Sequence, residues 1–286
     1  MAISLQTNVA SLEISNKLNK TSESISDTFG RLSSGLRITR PGDDPAGAQI
    51  ADTLKAQAKL ASAAMMNANT AISFTSIADS ALSGVSDMLT RMAELAEQSA
   101  NGVYANSQRS ALSNEFVALG SEIQRIAKTT QFNGVSLLSN SQTVTIQVGI
   151  DGTTLSRVDL APITGTLNAL GLAASGSDSL TYSILGTTEA NSYSASRAAL
   201  DAVTGALNSL NATRGSIGAT ESLLKTAINY LQVSREQFSA AESRIRDADI
   251  ASEVSSMVRQ QVLQQAQSAV LSQANQQVAL ALTLLQ

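Results

Sequence analysis

The side chains that most often do chemistry are missing: none of the 286 residues is a histidine or a cysteine. That removes the commonest general base near neutral pH, the thiol nucleophile and the usual zinc ligands. Carboxylates remain, and the central stretch holds Asp151, Asp159, Asp178 and Glu189. A correctly spaced carboxylate pair can run acid–base chemistry, but these acids are scattered through a polar segment with no room beside it for a cleft domain. They read as surface groups, and the chain as a structural protein without a cofactor or metal rather than an enzyme. The net charge is only −4 and no dense Lys/Arg cluster occurs, so nucleic acid is not an expected partner. No run of about 18 apolar residues is present, which excludes a spanning helix and membrane insertion. The opening MAISLQTNVASLEISNKLNK lacks a basic n-region and a continuous apolar h-region, so it is not a cleavable secretory signal.

What the composition favours is a set of elements rather than a cleft. Ala, Leu, Ile and Val supply nearly all the apolar content, beside five Phe, four Tyr and no Trp. Large aromatics dominate the burial energy of compact cores, so this chain buries area along thin helical seams. The three prolines are Pro41, Pro45 and Pro162, leaving two long proline-free tracts around a Gly-, Thr-, Ser- and Asn-rich middle at 130–195. From Ile50 and Leu54 through Ala61, Ala71 and Leu82 to Met92 and Ala96, every step is three or four residues. Only Gln57 and Thr75 break the apolar rule. That is a heptad seam of a long coiled-coil-like helix, with Asp44 as its N-cap and Pro45 at its first position.

Leu112, Phe116, Leu119, Ile123 and Ile126 repeat the rhythm in a second helix that stops before the turn signal Asn133-Gly134. A third seam runs from Leu200 to Ile245 and contains Arg214, Glu221, Arg235 and Glu242. These charges either fix register within the seam or mark a solvated face; the pattern leaves both readings open. In the middle, Val144, Ile146, Val148 and Ile150 alternate as a half-buried strand. Asp151-Gly152 offers a hairpin turn, and Arg157–Leu160 and Leu180–Leu185 are weaker strand candidates. The expected fold is mainly α: long coiled-coil-like helices at about 45–101, 107–129 and 195–245, with a small β-hairpin-rich region at about 140–190. Residues 1–43 form one terminal helix and connector, 44–245 the helical core domain, and 246–286 the other terminal helix.

The two ends carry their own stripes. Ile3, Ile14, Ile25 and Leu36 recur every 11 residues, and Leu18 with Phe29 share that interval. Eleven residues make nearly three turns, so these side chains share a face with little supercoil. Ile250, Met257, Leu271, Val278 and Leu285 fall on a seven-residue interval, with Leu282 beside them. The two intervals differ, so a continuous heptad seam between the ends is not expected. The run QQVLQQAQSAVLSQANQQVALALTLLQ has no charge, and its amide-rich face suits burial among protein helices rather than lipid. Such ends order themselves on assembly.

Several motifs carry a family resemblance. RLSSGLRI and DDPAGAQIA follow the opening segment, SANG closes the first long helix, and TQFNGVSLL follows the second. RIRDADIASEV and AVLSQANQQVALALTLLQ end the chain. Over about 1–140 and 195–286 the chain resembles bacterial flagellin in motif order and spacing. The resemblance implies a filament subunit whose terminal helices pair in an inner tube, flanking helices making the outer tube and a β-rich segment facing solvent. It also implies unfolded export through the flagellar type III apparatus to an extracellular flagellum. The implied partners are other copies of the chain, an export chaperone at the C-terminal helix, and the filament cap and junction proteins. The alternative within the same family of folds is a hook–filament junction protein. TRMAELAEQSANG resembles the segment that the animal flagellin-sensing Toll-like receptor contacts, matching it at Arg91, Glu94 and Leu95, with Glu115 a weaker match and Ala93 and Glu97 departures.

Overall fold

Long tracts with a three-four apolar rhythm become long helices. The computed structural model describes the backbone of residues 8–283 and the side chains of residues 8–277. Its elements are α1 (Val9–Ser34), α2 (Pro45–Ala100), α3 (Asn106–Thr129), β1 (Gln131–Phe132), β2 (Val135–Ser136), β3 (Val144–Gln147), β4 (Arg157–Leu160), α4 (Glu189–Arg246) and α5 (Ile250–Thr283). The fold is therefore mainly α with two small antiparallel strand pairs, β1 with β2 and β3 with β4. The chain forms two compact units, Met1–Ala58 with Glu236–Gln286, and Lys59–Arg235. The division falls inside α2 and α4, not at the connectors near 43 and 246.

In the unit Lys59–Arg235 the alanine-rich half of α2 packs on α4 first. Ala61 and Ala64 meet Leu231, and Ala68 and Ala71 meet Leu224. Farther along, Leu82, Val85, Leu89, Met92 and Ala96 join Val203, Ala206, Leu210 and Ile217 in the main core, all nearly or fully buried. Phe116 and Ile123 of α3 close this core from a third side. At Arg214 the structure favours a role in joining the helices over a solvated face. The guanidinium donates to both Asp79 carboxylate oxygens, at 2.8 and 3.4 Å, and so ties α4 to α2. Glu221 pairs instead with Lys225 one turn along its own helix.

The turns follow local chemistry. Asn133 and Gly134 both adopt positive φ, 50° and 78°, which gives the two-residue turn joining β1 to β2. β3 pairs with β4 from Val144 opposite Leu160 to Gln147 opposite Arg157. Their connection is longer than a two-residue Asp-Gly turn. It contains a short 3₁₀ turn at Thr154–Ser156, and the Asp151 carboxylate accepts hydrogen bonds from the Thr153 and Ser156 hydroxyls. The segment 180–185 is not a strand; it makes one isolated bridge, Ala173 to Leu180.

In the other unit α1 opens on Asn8, whose side chain accepts from the Ser11 amide at 3.1 Å. It ends on Gly35 at φ 71°, a left-handed cap that L side chains rarely adopt. At the start of α2, Asp44 accepts from the Gly47 amide at 2.9 Å, with Pro45 first in the helix as expected. Ile50, placed on the α2 seam by spacing, is 53 % exposed, while its neighbour Ala51 is buried. The two connectors meet: the Arg37 amide donates to Arg246 O, and the Ala248 amide to Gly35 O.

Candidate assembly surfaces

α1 and α5 run antiparallel along each other, and their contact line is a heptad after all. The covered positions on α1 are Ser11, Ile14, Leu18, Thr21, Ile25 and Thr28, in steps of three and four. On α5 they are Glu253, Met257, Gln260, Gln264, Gln267, Leu271 and Ala274, again in threes and fours. The expected mismatch between an 11-residue and a seven-residue stripe is therefore corrected. Eleven is seven plus four, so Ile14, Leu18 and Ile25 lie on one heptad seam, and hydroxyls at Ser11, Thr21 and Thr28 fill its other positions. The seam is joined by polar contacts: Asn8 Nδ2 to Ala274 O at 3.1 Å, Gln264 Nε2 to Ser22 Oγ at 3.1 Å, and Thr28 Oγ1 to Gln260 Oε1 at 3.2 Å. An Arg31–Glu253 pair at 3.4 Å closes the connector end.

The assembly candidates from the sequence separate on this seam. Ile14, Leu18, Ile25, Met257 and Leu271 are half-buried in it. Phe29 and Ile250 are not: they are 65 % and 48 % exposed. Leu36 sits in the connector, bridged to Asp247. Ile3 and Leu285 lie outside the described residues, as do the side chains of Val278 and Leu282.

A surface the sequence search missed lies on the back of α5. Ile250, Val254, Val258, Val262, Ala266 and Val270 follow one another at strict four-residue spacing, and every one is exposed. Such a row is a ridge, not a coiled-coil seam. Each step of four advances about 40° around the helix, so the ridge sweeps roughly half the circumference between Ile250 and Val270. The signal was present in the sequence as an i, i+4 row of β-branched residues, but the seven-residue count concealed it.

The receptor candidates also separate. Arg91 Nε donates to Glu115 Oε1 at 2.8 Å, and Nη1 to Glu94 Oε2 at 3.0 Å, on the exposed faces of α2 and α3. The bond to Glu115 first, and that to Glu94 second, hold the guanidinium above its ordinary value. Leu95 does not belong to this surface. It is fully buried in the main core, since its heptad position faces α3 and α4 rather than solvent.

Two of the central acids, Asp151 and Asp178, are hydrogen-bonded within the fold. Asp151 is held below the usual carboxylate range by Ser156 and then Thr153, and Asp178 by Lys128 before Gln124. A general acid needs the opposite shift. Among the described residues no group of three or more carboxylates is placed to hold a metal ion.

Two antiparallel long helices, a short third helix, a paired set of terminal helices and a small β segment define a helical assembly subunit. The model of the bacterial flagellin N-terminal helical region matches residues 5–143, and that of the bacterial flagellin C-terminal helical region matches 200–285. The chain belongs to the bacterial flagellin family and is a structural subunit of the flagellar filament. It is 38 % identical to a flagellin of Halalkalibacterium halodurans over 89 % of both chains. It is 33 % identical to the flagellar filament 33 kDa core protein of Treponema phagedenis, over 97 % of this chain and 98 % of that one. A putative flagellar hook-associated protein from Vibrio parahaemolyticus shares the fold, with a TM-score of 0.58 at 15 % identity, covering 72 % of this chain and all of the other.

Proposed function

We propose that copies of this chain join through the back of α5, with α1 serving chiefly to hold that helix in place. The observation that carries this reading is the exposed aliphatic ridge on α5. Gln260, Gln264 and Gln267 share the α1-facing seam with Met257, Leu271 and Ala274, while the aliphatic ridge from Ile250 to Val270 is exposed. A helix with an exposed row of apolar groups beside the seam that meets α1 is built for burial among further helices. Because the ridge winds around α5, it meets neighbours in more than one direction. Phe29, Val9 and Leu12 give α1 a smaller outward apolar surface, from 59 to 65 % exposed.

The test is Val258→Lys with Val262→Lys. Both positions are exposed, so the monomer keeps its helix content by circular dichroism, while seeded polymerisation fails. Filaments from this variant at the wild-type critical concentration would sink the proposal.

The remaining parts of the reading rest on family membership. The chain is not an enzyme. It is exported to the extracellular flagellum, with an export chaperone on the C-terminal helix and with cap and junction proteins at the filament ends. The family relatives are named flagellins and filament core proteins, which favours a filament subunit over a junction protein. Export is measured by immunoblotting culture supernatant from cells with and without the flagellar apparatus. Recognition by the animal receptor falls to the exposed Arg91–Glu94–Glu115 cluster without Leu95.

A further inference from the structure

We propose that Arg109 is a built-in destabiliser, which keeps the unit Lys59–Arg235 easy to unfold and so keeps the chain fit for export. This rests on the export reading above and names the side chain that serves it. Arg109 lies near the start of α3, where α2 ends and α4 begins. It is 0 % exposed, and it is among the bulkiest of the side chains buried so completely. Its Nη2 donates to Asn101 O at 2.9 Å, and its guanidinium carbon stands 4.2 Å from the centre of the Tyr193 ring. Among the described residues nothing accepts from Nε or Nη1, and neither atom meets solvent. Among those residues no carboxylate pairs with it either, whereas half-buried Arg214 of the same unit has Asp79.

Burying such a group is strongly unfavourable. A guanidinium taken out of water without a counter-charge loses more hydration than one hydrogen bond and one ring face restore. Its place on α3 adds to this, because a cation near a helix N-terminus opposes the helix dipole. No acid stands in the first turn of α3, and its cap residue Ala105 makes no side-chain hydrogen bond. The other polar groups at this end of the unit are in a different position. Ser99 donates to Ile184 O at 3.0 Å, Ser196 to Ser192 O at 2.8 Å and Ser192 to Thr188 O at 3.0 Å, so these buried hydroxyls are satisfied. The unfavourable burial is confined to one side chain. The α2–α3 turn does not depend on it, since the Asn101 backbone amide donates to Gln98 O and the Asn101 side chain accepts from the Val103 amide, both at 3.2 Å.

Nε and Nη1 have almost no accessible surface, so an ion has no room beside them. The arrangement is stored instability, not a binding site. In an exported filament subunit stored instability has a use. A chain that folds before it reaches the export apparatus must open again, and both its opening rate and its unfolded share rise as stability falls. Once the chain is outside, association with other copies favours the folded state by mass action, which offsets the same penalty. The charge therefore weakens the free monomer, where weakness serves export, and leaves the polymer stable.

The test is Arg109→Met, an unbranched replacement whose sulfur packs against the Tyr193 ring. Removing the buried charge raises the thermal unfolding midpoint of the monomer by about 5 °C and slows amide exchange at the start of α3. The exported share, counted as filament plus free protein by immunoblotting cells and supernatant, falls severalfold. Gly205→Ala with Gly218→Ala provides an independent arm. Both glycines are exposed within α4, and a Cβ at either meets nothing within 4 Å, so this pair stabilises the same unit without touching Arg109. Its export falls in step with its midpoint. Adding Ile123→Val to Arg109→Met shortens a fully buried side chain and brings midpoint and export back toward the parent. An Arg109→Met monomer no more stable than the parent overturns the proposal. So does either stabilised variant exported as fully as the parent, or a restored midpoint without restored export. If the parent chain reaches the supernatant equally from cells lacking the flagellar apparatus, it is the export reading that fails.

Discussion

Replacing Leu95 by alanine separates a core role from a surface role at the segment that resembles a receptor motif. Leu95 is 0 % exposed and belongs to the cluster containing Leu89, Met92 and Phe116. Removing three carbons there leaves a cavity that long helices cannot collapse into, so the cost should be about 3 kcal/mol, within the usual range for buried leucine. For a unit of this size that lowers the unfolding midpoint by about 6–12 °C. Arg91→Ala acts differently. It removes two exposed ion pairs and should leave the midpoint where it is. The assay is thermal unfolding of purified monomer by circular dichroism, followed by receptor signalling measured per folded molecule. Leu95→Ala should retain signalling at temperatures where it is folded, and Arg91→Ala should lose it without unfolding. A Leu95→Ala variant as stable as the parent would refute the burial argument and return Leu95 to the list of surface contacts.

Three further outcomes follow from particular groups. With no histidine, stability of the monomer should be flat between about pH 5 and 8. Asp43, Glu122, Asp151 and Asp178 all have folded values below their unfolded ones, so they stabilise the fold above the unfolded pKa. That contribution is lost as pH falls through the folded pKa, and urea midpoints should drop below about pH 4. Gln260→Leu with Gln264→Leu replaces seam amides by aliphatics; amide exchange in α1 and α5 should slow, and faster exchange would contradict the seam. Gly35→Ala forces a side chain onto φ 71° and should cost about 1 kcal/mol, seen as faster exchange at the end of α1.

Much of the core was readable because its seams are aliphatic. Ala61 through Ala96 and Leu112 through Ile126 follow a rhythm that burial alone explains. The Asp44-Pro45 start and the Asn133-Gly134 turn were readable because each residue has a local reason to be there. The α1–α5 seam was not, because Thr21, Thr28, Gln260 and Gln264 occupy it, and hydrogen bonding across helices leaves no mark in an apolar count. Ile50 and Leu95 show the same gap from the other side. Spacing says that a leucine lies on a helix, but which flank meets a neighbour depends on where α3 and α4 pack. The acids of the middle segment read as surface groups in the sequence, and the partners of one of them, Lys128 and Gln124 for Asp178, were not legible because they lie 50 or more residues away.

The meeting of the two connectors has a mechanical consequence. Two of the chain's helix breaks, between α1 and α2 and between α4 and α5, lie side by side. Bonds from Arg37 N to Arg246 O, from Ala248 N to Gly35 O and from the Arg37 guanidinium to Ile245 O rivet them together. A pull that would stretch one break is therefore shared with the other, and the two yield together or not at all. In a fibre that is twisted and dragged through liquid, these two breaks of each subunit are thus braced against each other without giving up the bend that each one permits.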